Sequence, residues 1–186
     1  MNDVQVKAVP VNGLYTFVQT ELTSEQLKAA IDSLPPDERQ WFTGHLLAHQ
    51  QVPYTAVNRF TVEAAKQKGE PLESFSLRAG RYGANLGIKT VYKFVMMVMS
   101  IEAVLRKAPL MWSRVYDRGK MTVESASGSA RIHVADFPSD EAGCGRATGW
   151  FTVIGEKAGA KNLKVDHPVC RARGGHECRW DFQWDE

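Results

Sequence analysis

Every cysteine of the chain, Cys144, Cys170 and Cys178, falls in its last quarter, and His167 stands three residues before the second of them. Three thiolates and one imidazole suit zinc, which carries no geometric preference of its own and closes a tetrahedral shell with four such ligands. A shell filled by protein leaves no position for an activated water. The chemistry expected of Cys144, His167, Cys170 and Cys178 is therefore structural zinc binding, not catalysis. Spacing alone leaves alternatives open: a Cys170–Cys178 disulfide with Cys144 free, three inert buried thiols, or Asp166 in place of His167 as the fourth ligand. The odd cysteine count and the lack of an export-signal pattern in residues 1–12 favour a reducing, cytoplasmic setting over the disulfide.

Other residues that could do chemistry carry weaker signals. His45 and His49 are four apart and would share one face of a helix, but no Glu stands between them, so they read as a solvated face and not a metalloprotease pair. Gly80-Arg81-Tyr82-Gly83 and Gly143-Cys144-Gly145 lack the spacing and strand-turn-helix setting of a dinucleotide loop. No histidine sits in a nucleophile-activating setting, and an enzyme is not expected.

The elements that must hold the cluster divide the chain in two. Its 186 residues, 44% hydrophobic and 24% charged, are enough for one domain with a proper core, expected to span 1–186. A net charge of +2 with scattered Lys and Arg gives no footprint for nucleic acid. The apolar run Phe94–Met99 is far short of the roughly 20 residues that span a bilayer.

Residues 1–12 are expected to fray or form a short strand. Helices are expected over Thr23–Leu34, with Thr23 and Gln26 as cap, from Asp37 through Leu47, and over Tyr54–Lys68. Leu72–Leu86 reads as a weaker helix interrupted by glycines. Ile88–Lys107 reads as one helix apolar on all sides, suited to the middle of a core, with Met96, Met97 and Met99 either filling it or lining a ligand cavity.

After Pro109 the period changes to that of strands. Lys120–Ser125 and Ala130–Phe137 form a hairpin that leaves His133 facing solvent. A helix over Glu141–Ala158 buries Trp150, Phe151 and Ile154. A closing hairpin pairs Asn162–Val169 with Cys178–Trp184 across Gly174-Gly175. The fold class is α+β: a helical N-terminal half on a small antiparallel sheet of about four strands.

The closing segment, from Cys170 through the turn at Gly174-Gly175 to Cys178 and the alternating Trp180, Phe182 and Trp184, resembles the C-terminal signature of the 4-vinyl-reductase-like domain. That domain shares a ligand-binding superfamily with haem-dependent nitric-oxide-binding domains and trafficking-complex subunits of the Bet3 type, and it senses aromatic effectors in phenol-responsive bacterial activators. Stand-alone domains of this type in myxobacteria are also similar. In the aromatic sensors a structural zinc is held by an upstream Cys, an acidic residue three positions before the first hairpin Cys, and both hairpin cysteines. The resemblance implies the same role for Cys144, Cys170 and Cys178, with His167 at the place of the carboxylate. Pro109–Gly119 resembles the Trp-containing helix end that lines the sensors' pocket, and Gly13–Phe17 resembles a segment that pairs or swaps between subunits. The haem branch's proximal His and its Tyr-x-Ser-x-Arg grip are missing, and Phe75-Ser76-Leu77-Arg78 does not supply them.

Three functions follow as expectations. The first is a regulatory, sensor-type module whose pocket for a small apolar or aromatic ligand is lined by Phe94, Met97, Trp112 and Tyr116 and closed by the zinc-stapled hairpin. It would be a homodimer that signals through a separate protein partner, since no output domain follows Glu186. The second is a homodimeric adaptor of the same fold, packed solid, with Trp112 in the core or at the dimer interface. The third is a reductase, the reaction that gives the family its name.

Overall fold

The computed structural model describes residues 3–90 and 100–185. A short strand β1 (Gln5–Lys7) opens the chain and leads directly into helix α1 (Ala8–Glu21). Of the two alternatives expected for residues 1–12, the described part has the short strand, followed by an unexpected helix. Val4, Val6, Ala8 and Val11 are at most 3% exposed, and Pro10 lies in the first turn of α1, where no N–H is required. Gly13–Phe17, which resembles an exchanging segment, is the middle of this helix and buries Leu14, Tyr15 and Phe17 in its own chain's core.

Helix α2 (Ser24–Asp32) begins with the expected capping box. The Gln26 N–H donates to Thr23 Oγ1 at 3.3 Å, and the Thr23 N–H donates to Gln26 Oε1 at 3.0 Å. Helix α3 (Pro36–Arg39) and a 3-10 turn (Gln40–Phe42) follow, but the expected helix through Leu47 stops there. Asn12 of α1 takes over the backbone instead: its Nδ2 donates to Leu46 O at 2.9 Å and its Oδ1 accepts the Leu46 N–H at 2.8 Å. Leu47 N–H donates to Gln50 Oε1 at 2.6 Å. The segment runs as a loop into β2 (Gln51–Pro53), which pairs antiparallel with β1, Val6 opposite Val52. His45 and His49 are thus on a loop and share no helical face.

Helix α4 (Tyr54–Lys68) has the expected bounds and ends at Gly69, whose φ of 71° is the left-handed conformation that closes helices. Helix α5 (Leu72–Thr90) runs longer than expected, and helix α6 (Ile101–Val115) starts afresh at Ser100, whose hydroxyl accepts the Ala103 N–H at 3.4 Å. Ile88–Lys107 is therefore not one element in its described part. Phe94, Met96, Met97 and Met99 lie outside the described residues. Pro109 does not end α6 but sits inside it: buried Leu105 and Trp112 anchor the helix on either side of the missing backbone donor.

The C-terminal half follows the expected order. Strands β3 (Lys120–Ala126) and β4 (Ser129–Ala135) form a hairpin, helix α7 (Glu141–Lys157) crosses the sheet, and β5 (Lys161–Val169) and β6 (Cys178–Asp185) close it. The sheet is antiparallel in the order β3-β4-β6-β5, so the fold is α+β as read. His133 does not face open solvent. It sits on the interior strand β4, with its Nδ1 2.7 Å from Glu177 Oε1 and its side chain 20% exposed.

Helices α5 and α7 touch through bare backbone. A Cβ on Gly80 would lie 2.1 Å from Arg146 O, and one on Gly149 would lie 2.2 Å from Leu77 O. The glycines that weaken the helical reading of Leu72–Leu86 are what let the two helices meet. That contact takes one side of α7, whose buried residues are Ala142, Gly143, Cys144, Gly149, Val153 and Gly155; Trp150, Phe151 and Ile154 line a cavity, and Phe151 also packs edge-on against the core residue Trp180 at 5.2 Å. Elsewhere the core is close-packed, with Phe42 and Phe60 stacked at 4.1 Å and Trp180 1% exposed. Among the described residues no helix is long and apolar enough to cross a membrane.

Candidate functional site

Four elements deliver the cysteine-histidine cluster. Asp140 caps α7 by accepting the Gly143 N–H at 2.7 Å, which fixes the first turn and places Cys144 on its inner side. Strand β5 alternates, with Leu163, Val165 and His167 turned inward while Lys164, Asp166 and Pro168 are exposed. This alternation decides between the two candidate fourth ligands in favour of His167. Cys170 ends the strand, and a 3-10 turn (Arg171–Arg173) with Gly174 at φ 87° reverses the chain, so that Cys178 starts β6 beside it.

The candidate ligand atoms of Cys144, His167, Cys170 and Cys178 lie within 4.8 Å of one another. Cys144 Sγ is 3.7 Å from both Cys170 Sγ and Cys178 Sγ, and all three thiols are free and buried. The disulfide alternative needs sulfurs about 2.05 Å apart. The His167 ring is stacked on Trp180 with centroids 4.3 Å apart and planes 2° from parallel, and its Nε2 is buried without a hydrogen-bond partner. An orphaned imidazole nitrogen beside three clustered sulfurs is a donor set that fits a thiophilic cation.

The cluster's electrostatics already favour a thiolate. The Cys178 thiol is pulled down from its ordinary value, chiefly by the hydrogen bond with Cys144 and further by His167, Ser139 and the Arg171 N–H at 3.5 Å, against the opposing effect of burial. The Cys144 thiol is pushed up by the same pairing and by burial.

On the far side of α7 lies a cavity of about 450 Å³. Its walls come from α1, α5, α6, β3 and α7, and include Leu14, Met111, Met121, Trp150 and Phe151. Trp112 and Tyr116, both expected in a pocket, line it. Their rings pack at 4.4 Å, Phe137 meets each edge-on, and Trp112 Nε1 donates to Arg118 O at 3.2 Å. Phe94 and Met97 lie outside the described residues. The α6 contribution was open to discovery in the sequence, since Val104, Ala108, Met111 and Val115 recur at helical spacing and all face the cavity. The α7 contribution carried no such signal.

No protein-family model matches the chain, and no curated protein does. Its fold is nevertheless shared with H-NOX proteins of known structure. One from S. oneidensis, in the Fe(II)NO ligation state, superposes with a TM-score of 0.75 at 11% identity, covering 97% of this chain and 99% of that one. One from K. algicida, a mutant in the unliganded Fe(II) state, gives 0.73 at 10% identity over 97% of both chains. An NMR structure of the Shewanella oneidensis domain in the Fe(II)CO state gives 0.68 at 13% identity.

Among the described residues, the cavity wall offers a haem iron no histidine or cysteine ligand. The chain's five histidines are at 45, 49, 133, 167 and 176 and its three cysteines at 144, 170 and 178, all of them off that wall.

Proposed function

We propose that the chain, acting as one domain, is a non-enzymatic regulatory module that takes a small apolar or aromatic molecule into the cavity between α6 and α7. The observation that carries this reading is the cavity itself: its volume falls in the range of small-molecule sites, roughly 300–1,000 Å³, and its walls are mostly apolar and aromatic with few polar groups. A solid-packed adaptor would fill that space, so the cavity favours binding over the adaptor reading. In the same proposal zinc is held by Cys144, His167, Cys170 and Cys178 and ties α7 to the β5–β6 hairpin; when bound it supplies a structural cross-link and no reaction. The closed donor set supports this role over the reductase, because it leaves no ligand position for a substrate. The resemblance of Cys170–Trp184 to the closing signature of the 4-vinyl-reductase-like sensors is in keeping with the reading, and a cytoplasmic setting and a separate output partner are proposed with it.

The test is titration of the purified protein with a panel of phenols, alkylbenzenes and small apolar acids, followed by tryptophan fluorescence and melting temperature. Trp112 and Trp150 both line the cavity and report occupancy directly. Saturable quenching with a raised melting temperature is expected for some members. A flat response across the panel refutes the reading.

A further inference from the structure

The charges on the cavity wall are all of one sign. Lys7, Lys107, Arg114 and Arg146 line it, and among the described residues no Asp or Glu does. None of these four makes an ion pair with a carboxylate among the described residues, whereas Arg59, Arg78, Arg81, Arg131 and Arg179, none of them on this wall, each do. Lys107 and Arg114 are exposed; Arg146 is partly buried, on the side of α7 next to α4. The Arg146 guanidinium donates to Thr61 Oγ1 at 2.5 Å and to Asn58 Oδ1, both neutral oxygens of buried residues. Asp140, the acid that feels its field, makes no ion pair with it and accepts the Gly143 N–H instead.

A partly buried guanidinium whose hydrogen-bond acceptors are neutral, and whose nearby acid Asp140 is coupled to it without an ion pair, keeps spare donors, and a fork of this shape matches a carboxylate. Tyr116 adds a second donor. Its hydroxyl makes no hydrogen bond among the described residues and lies within the field of Arg146. Apart from Lys7, Lys107 and Arg114, the rest of the described wall is mostly hydrocarbon and aromatic, which suits the body of a ligand and not its head.

We infer that the cavity selects an organic carboxylate: an aromatic or alkyl body seated among Trp150, Phe151, Ile154 and Met111, with its anionic head directed to Arg146 and Tyr116. Lys107 and Arg114 raise the local concentration of such an anion and speed its capture. This inference rests on the binding reading above and narrows it to one chemical class.

The experiment compares matched pairs, 4-propylbenzoate against 4-propylbenzamide and octanoate against octanamide, by calorimetry and tryptophan fluorescence at low and high salt. Each acid is expected to bind at least about tenfold tighter than its amide, the scale of one charge-assisted hydrogen bond. Arg146→Gln should shrink that preference below about threefold, and Tyr116→Phe should reduce it partway. Should Arg146→Gln fold poorly, the surface double variant Lys107→Gln with Arg114→Gln serves, and it should lower the association rate and flatten its salt dependence. Amides that bind as tightly as the acids, or an acid preference kept in all three variants, overturn the carboxylate inference while leaving the binding reading intact. Failure of every ligand, charged or neutral, overturns both.

Discussion

Removing the metal is the perturbation that bears most directly on the cluster. In a regular tetrahedron the centre lies about 0.61 of an edge from each vertex, so an edge of 3.7 Å, the Cys144–Cys170 and Cys144–Cys178 separation, puts the centre about 2.3 Å from each sulfur, the length of a Zn–S bond. Protein purified without a polyhistidine tag should therefore carry one zinc per chain, and X-ray absorption should give three sulfurs at about 2.3 Å and one nitrogen at about 2.0–2.1 Å. Binding to the folded state alone stabilises it by about 4 kcal/mol when free zinc is about 1,000 times the dissociation constant. At this chain length, with about 2–4 °C per kcal/mol, chelation should lower the melting temperature by about 8–16 °C, reversibly on adding zinc back. His167→Ala and Cys178→Ser should lose the metal, whereas His133→Ala, which removes the imidazole paired with Glu177, should keep it. Metal-free protein whose melting temperature ignores both chelator and zinc, and whose three thiols react freely once unfolded but bind no ion when folded, would refute the reasoning.

Two further expectations concern the frame around the site. Gly149→Ala sets a Cβ 2.2 Å from Leu77 O and should destabilise by about 1–3 kcal/mol in urea unfolding, outweighing the ~1 kcal/mol that Ala gains over Gly in a helix; Gly44→Ala, in open space, should be near neutral, and a stabilised Gly149→Ala would contradict the backbone contact. Arg78 grips Glu21 through two hydrogen bonds and also pairs with Glu70, holding the Glu21 carboxyl down at about 2 from its ordinary 4.5. A depressed carboxylate stabilises the fold above its unfolded value and loses that contribution as pH falls. Arg78→Ala should thus cost about 1–2 kcal/mol near neutrality, discounted because Arg78 is 42% exposed. The gap from the parent should narrow between about pH 4.5 and pH 2, and a gap that is constant with pH would argue against the pairing.

The cluster was legible in the sequence because it needs only residue types that are rare and close to a turn. Cys170, His167 and Cys178 are brought together by one hairpin, and Cys144 sits in the first turn of a helix with a visible cap at Asp140. The choice of His167 over Asp166 was not legible, since it depends on which face of β5 turns inward. Helices with clean caps and breakers, such as Thr23 for α2 and Gly69 for α4, were also readable. The errors arose where a distant partner overrode local pattern. Asn12 captures Leu46 and unwinds the expected helix after Phe42, and buried Leu105 and Trp112 carry α6 through Pro109. The cavity walls escaped for a related reason: Trp150, Phe151 and Ile154 look like a core stripe, and while Phe151 does pack against Trp180, all three also line the cavity beside the glycine contact between α5 and α7.

The outer border of the sheet restricts how copies of this chain can associate. Among the described residues strand β5 pairs only with β6, and toward solvent it presents Lys161, Asn162, Lys164, Asp166 and Pro168, with two register shifts along its length. Charged side chains, a proline without an amide hydrogen, and bulges that twist the backbone are the features that stop a neighbouring molecule from adding another strand. These features disfavour self-association by continuous sheet extension along this border, so a homodimer, if one forms, is expected on some other face.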